Sequence, residues 1–207
     1  MGVLNVRGSC CAALLVLLMS PASRAADTID FAKVPYLGQG ERDRLQSVYP
    51  AAPSPKAFAV TPEGRWSGTW NTNNNLTPGD AERMTLERCE FTYGPQCILY
   101  AIDMRATGET VPRPPIILKE GRFDPARVPF VNSKVRANDA VGYLKAPGNK
   151  AFALHRNGAY AFATGRDFKS DARRDALRGC ARNEPVGCFI YAVDDMIVYE
   201  APQQRPQ

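Results

Sequence analysis

Beyond the first 25 residues the chain keeps four cysteines, Cys89, Cys97, Cys180 and Cys188, in two pairs with seven residues between the partners of each. Thiols so arranged can close two disulfides or offer four thiolates to zinc, although structural zinc sites space their paired ligands more tightly. No Cys-x-x-Cys exists outside the leader, so dithiol redox catalysis has no motif to work with. The one histidine, His155, would have to serve any Ser-His-Asp or Cys-His constellation, and without a partner it reads as an edge residue. Asp103, Asp194 and Asp195 are the best-placed carboxylates for two-acid hydrolysis of a glycan. The adjacent pair, however, sits where a tight turn is needed, and Asp favours turns. "RWSGTWNTNNNL" sets Trp66 and Trp70 on one face of a strand beside the amides Asn71 to Asn75, a combination suited to stacking on sugar rings or to meeting a protein. Trp66, Trp70 and Asn73 are therefore candidate binding residues. Arg174 and Arg178, on an arginine-rich helix, are candidates for an acidic ligand. No catalytic residue and no metal ligand is assigned, and no cofactor is expected.

The elements that must position these residues come in two copies. Val34-Pro35-Tyr36-Leu37 falls on Val128-Pro129-Phe130-Val131, and at the same offset "KAFAV" (56–60) falls on "KAFAL" (150–154) and Gly64 on Gly158. After a three-residue deletion both cysteine pairs align, and Tyr100-Ala101 and Asp103 meet Tyr191-Ala192 and Asp194. Matches over most of each copy mark a tandem duplication. His155 then has Thr61 as its counterpart, and Trp66 and Trp70 have Tyr160 and Thr164.

Each copy reads as an extended Val-Pro start, a helix (Glu41 to Val48 in the first), two alternating runs around a Gly turn, a helix, and strands rich in β-branched and aromatic residues. Thr77-Pro78-Gly79-Asp80 supplies an N-cap, a proline at N1 and an acid at N3; Ser170 is the corresponding cap expected in the second copy. The fold class is α+β: a tandem pair of helix-ββαββ units, each with a helix laid across an antiparallel sheet. The expected divisions are a first module over 31–110, a Pro-rich linker over 111–125, a second module over 126–200 and a frayed tail over 201–207. In each copy the first cysteine ends a helix and the second opens a strand. A module duplicated whole should carry its own bond, which predicts Cys89–Cys97 and Cys180–Cys188. Lys56 and Lys150, opening equivalent strands, could pair with Asp103 and Asp194 or stay solvated. Tyr100 and Tyr191 should pack on the sheet with their hydroxyls partnered.

Residues 1–25 have the form of a signal peptide: Arg7, the apolar run Cys10 to Ser20, then Ser23-Arg24-Ala25 as a small-x-small cleavage site. No other run approaches a membrane span. An even cysteine count then fits an oxidising, periplasmic or secreted, location. Removing a leader with two arginines and no acids lowers the net charge from +5 to about +3, which is no footprint for nucleic acid.

The pattern Lys-Ala-Phe-Ala, a Gly turn, then Ala-x₄-Leu-x₂-Cys-x₇-Cys-x-[LI]-Tyr-Ala-[IV]-Asp resembles a small repeat of exported proteobacterial proteins. The resemblance spans about Val34 to Glu200 and implies bacterial export without implying an activity. The function expected is non-catalytic binding of a cell-envelope glycan or another exported protein. The alternatives are a periplasmic inhibitor or immunity protein of an enzyme, and an Asp-dependent hydrolase.

Overall fold

The computed structural model describes residues 28–200; the expected signal peptide and tail lie outside the described residues. The molecule is α+β with two antiparallel sheets, one per half. The first unit contains α1 (Gln39–Val48), β1 (Lys56–Val60), β2 (Trp66–Trp70), α2 (Pro78–Tyr93), β3 (Ile98–Ile102) and β4 (Arg105–Ala106), its strands ordered β2-β1-β3-β4. The second contains β5 (Gly121–Arg122), α3 (residues 133–145, with a π-helical turn at Arg136–Ala140), β6 (Asn149–Leu154), β7 (Tyr160–Arg166), α4 (Lys169–Ala181), β8 (Phe189–Val193) and β9 (Met196–Ile197). Its order is β5-β9-β8-β6-β7. β5 and the buried Ile117 and Phe123 come from the Pro-rich stretch, which thus contributes a strand and core residues to the second unit.

Alternation along β1 explains the layering. Phe58 and Val60 point into a cluster with Leu45 and Tyr49 under α1, while Ala57 and Ala59 face Ala81, Leu86 and Cys89 of α2. Successive side chains of a strand take opposite faces, so "KAFAV" puts bulk on one side and admits a close helix on the other. β6 does the same, Phe152 and Leu154 facing the α3 side and Ala151 and Ala153 facing Ala172 and Ala176 of α4. Each sheet is therefore covered by a helix on both faces, one more layer than the single covering helix expected.

The halves correspond in backbone detail. Tyr36 and Phe130 both sit at φ 66°, and Asp103 and Asp194 at φ 49° and 51°. The pairing of β1 with β3 slips between Phe58 and Ala59, and that of β6 with β8 between Phe152 and Ala153, at equivalent places. The disulfides are Cys89–Cys97 and Cys180–Cys188, with Cα–Cα distances of 6.1 and 6.2 Å. Each pins the C-terminal part of a helix to the start of a strand, Cys180 from the last turn of α4 and Cys89 from one turn before the end of α2. β4 forms as β9 does, pairing with β3 at Ala101↔Ala106 as β9 pairs with β8 at Ala192↔Ile197. Among the described residues no helix is long and apolar enough to cross a membrane.

Four local expectations need correction. α2 has its full capping box at Thr77 and Asp80, but α4 starts earlier than expected, with Phe168 rather than Ser170 at the N-cap and Ser170 inside the helix. Lys56 and Lys150 are buried rather than solvated. The Lys56 ammonium donates to the carbonyls of Tyr49, Pro50 and Ala52, each at 2.8 Å, and lies 5.0 Å from the Tyr49 ring centroid. Lys150 likewise donates to Leu144 and Ala146 and lies over Tyr143, with an ion pair to Asp195 at 2.9 Å. A cation thus closes the C-terminal end of α1 and of α3, where orphan carbonyls collect. Asp103 and Asp194 meet these lysines through the backbone instead: Lys56 N–H donates to Asp103 Oδ1 at 3.1 Å and Lys150 N–H to Asp194 Oδ1 at 3.2 Å. His155 is no edge residue but buried, with its Nδ1 accepting from Asn157 N–H. The Tyr191 hydroxyl, expected to be partnered, finds no hydrogen-bond partner among the described residues.

α2 joins the halves. Its inner face belongs to the first sheet; its outer face lies against the second unit. Asp80, 1% exposed, accepts from Ser133 N–H and Oγ, both at 2.8 Å, and from the Arg136 guanidinium at 3.0 Å. Arg83 pairs with Glu87 and donates to the carbonyls of Val128 and Val131. Glu87, 2% exposed, accepts Phe130 N–H at 2.7 Å. Arg88 donates to the carbonyls of Arg156 and Asn157 at 3.0 and 3.1 Å. The Phe91 ring meets Phe130 edge-on and stacks on Phe189.

Candidate functional site

The docking of α2 leaves a cleft of about 670 Å³ between the units. Its first-unit wall is the end of β2, the loop that follows and two α2 side chains, Met84 and Arg88. Its second-unit wall is the start of α3, the β6–β7 turn and the residues after α4. The size suits a small ligand or a short polymer segment.

The asparagine run divides its labour. Asn71 is buried, its side-chain oxygen accepting Asn75 N–H at 2.8 Å and Leu76 N–H at 3.1 Å while its amide nitrogen donates to Ser54 O. Asn74 takes the left-handed conformation at φ 52° that turns the loop. Asn73 and Asn75 are left exposed, and both line the cleft beside Trp70. Gly68 lets the two indoles close over the strand: a Cβ there would meet the Trp70 ring at 3.1 Å and the Trp66 ring at 3.4 Å.

Across the cleft the polar groups are held by their own neighbours. Tyr160 Oη donates to Asp139 Oδ2 at 2.8 Å, and Asn157 Nδ2 donates to Glu184 Oε1 at 3.3 Å. Burial holds the His155 imidazole below its ordinary pKa, and Gly187 (φ 97°) closes over its Nε2 with no room for a Cβ. It is a neutral support for the Asn157 turn and does not line the cleft. The charged lining, Arg88 and Lys134 against Asp139 and Glu184, balances to zero. With one indole, one phenol and five asparagine side chains in its lining, the surface favours an uncharged polar ligand with flat apolar faces.

The predicted binding residues separate. Trp70 and Asn73 line the cleft. Trp66 is half-buried in the first core and donates from Nε1 to Glu41 at 2.8 Å. Arg174 and Arg178 lie on α4, outside the cleft lining, where Asp171 and Asp175 neutralise them: Arg174 meets Asp171 at 2.8 Å, and Arg178 meets Asp175 at 3.9 Å. Asp103 and Asp194 occupy strand turns, and Asp195 holds Lys150. Arg88, Asp139, Asn157 and Glu184 are not among the binding residues expected from the sequence, and Tyr160 entered only as the counterpart of Trp66. A signal for some of them was present, since Arg88 has Gly179 and Glu184 has Tyr93 as counterparts. Among the described residues no three His, Cys, Asp or Glu side chains converge as a metal site requires.

No family model, no curated protein and no solved structure matches this chain.

Proposed function

We propose that the chain is a non-catalytic exported protein, a tandem duplication whose cleft between the units holds a segment of a cell-envelope glycan. The observation that carries this reading is the convergence of Trp70, Asn73 and Asn75 with Asn157 and Tyr160 on a charge-balanced cleft. Sugars present flat C–H faces to aromatic rings and hydroxyl or acetamido groups to amides and carboxylates. Export is supported by the leader-like residues 1–25 and by the two disulfides, which persist in oxidising compartments. Titration with soluble, uncharged N-acetylglucosamine oligomers, followed by tryptophan emission and calorimetry, tests it. Trp70→Ala should weaken binding at least tenfold and Asn73→Ala several-fold, while Trp66→Phe leaves it unchanged. Equal affinity in wild type and Trp70→Ala, or no binding at millimolar sugar, would sink the reading.

One feature favours a second reading, inhibition of an enzyme. Val186, 84% exposed, stands in the loop closed by Cys180–Cys188, an apolar tip on a rigid support. Val186→Asp would abolish inhibition and leave glycan binding intact.

A further inference from the structure

The second unit wears α2 on a surface that the first unit also possesses and that no helix among the described residues covers. On the second unit that surface is Val128 to Arg136 plus the β6–β7 turn, and α2 grips it chiefly through main-chain groups. These are the N–H of Ser133 and of Phe130 and the carbonyls of Val128, Val131, Arg156 and Asn157. The counterparts in the first unit are the N–H of Gln39 and of Tyr36 and the carbonyls of Val34, Leu37, Pro62 and Glu63. Arg42 stands where Arg136 does. The backbone there has the same shape. Tyr36 and Phe130 share φ 66°, and a Cβ on Gly64 or on Gly158 would lie 3.1 Å from the carbonyl oxygen of Tyr36 or of Phe130 respectively. What differs is cover. Phe130 is fully buried, whereas Tyr36 is 49% exposed and its N–H has no acceptor among the described residues. The cap of the following helix differs too: Asn132 bonds Val135 N–H, but Gly38 before α1 offers no side-chain cap.

We infer that this face of the first unit is a docking site for an amphipathic helix of another protein. The helix would carry the pattern that α2 presents to the second unit, Asp-x₂-Arg-x₃-Glu-x₃-aromatic. Because the receiving groups are mostly backbone, specificity resides in the incoming helix. Its Asp meets Gln39 N–H and Arg42, its Glu takes the idle Tyr36 N–H, and its ring packs on Tyr36. Arg42, which now donates to Val34 O at 3.1 Å, turns to the Asp and frees that carbonyl for the incoming Arg. A second copy of this chain is the wrong occupant. The equivalent face of α4 keeps Asp171 and Arg174 but places Arg178 where Glu87 stands and Arg182 where Phe91 stands. An arginine cannot accept the Tyr36 N–H.

The probe is a lactam-stapled 18-residue peptide carrying those four residues on an alanine–glutamine background, titrated into the full ¹⁵N-labelled protein. Amide shifts should concentrate at Tyr36, Leu37, Gln39 and Gly64. Tyr36→Asn tolerates the left-handed conformation, and its fold is checked by its melting curve. It should weaken binding at least tenfold, as should replacing the peptide's Glu by Arg. No shift at those amides up to 1 mM peptide, or binding indifferent to both changes, overturns the inference. So does a peptide-free dimer that Tyr36→Asn dissociates, since the occupant would then be a second copy.

Discussion

Lys56 shows what a single side chain contributes to this fold. Its ammonium replaces water at three carbonyls that close α1, and burial lowers its pKa below the ordinary lysine value. Hydrogen bonds from a charged donor exceed neutral ones, and carbonyls left without a partner cost desolvation energy. Lys56→Met, which keeps the length and loses the donors, should destabilise the protein by about 2–4 kcal/mol in urea titration. Lys150→Met should cost a comparable amount and also strand Asp195. A loss below about 1 kcal/mol for either would mean that water replaces the ammonium without penalty. These lysines were visible in the sequence as a repeated position, but their burial was not. "KAFA" gives the strand alternation without saying that a helix end lies above its first residue.

At the scale of elements, the disulfides and the alanine faces act together. Cys180 is fully buried in the last turn of α4, and Gly179 beside it stands where an added Cβ would lie only 2.7 Å from Ala161 Cβ. The helix is thus drawn close onto β7 as well as tied to β8. Cys180→Ala with Cys188→Ala should lower stability by about 2–3 kcal/mol, the loop-entropy value for so short a closure, read as a fall in the urea midpoint at unchanged slope. A change in slope would instead point to loosening of the folded helix. Nearly all of this level was legible beforehand. Cap, cysteine spacing and strand alternation are local, and each is written twice, so an accident in one half is exposed by the other. Ser170 misled because a Ser near a helix start is a good cap in isolation, while the geometry after β7 lets the helix begin at Lys169.

The whole molecule depends on what the halves do not share. Met84, Glu87 and Phe91 turn to the second unit; their counterparts Asp175, Arg178 and Arg182 are polar. Comparing the halves reveals what both need for folding and stays silent on how one sits against the other. The docking, and the cleft it creates, were therefore illegible in the sequence. Glu87 makes the junction sensitive to pH. Burial outweighs Arg83 and the Phe130 N–H and pushes its pKa from an unfolded value of 4.5 up to about 7. The folded state holds this proton more tightly than the unfolded chain, so the associated stability is present in full below about pH 4.5 and is lost as pH rises through 7. Between pH 5 and pH 8, Glu87→Gln should gain on wild type by on the order of 3 kcal/mol. A difference independent of pH would show that the carboxylate is already ionised when folded. A helix packed between two cores cannot open without breaking both, so α2 amides should exchange with deuterium only through global unfolding, and the two halves should melt in one transition. Amides of α4, packed on one core alone, should exchange through smaller openings first. The stability of this molecule is therefore set in its middle, by a helix that neither half can release alone.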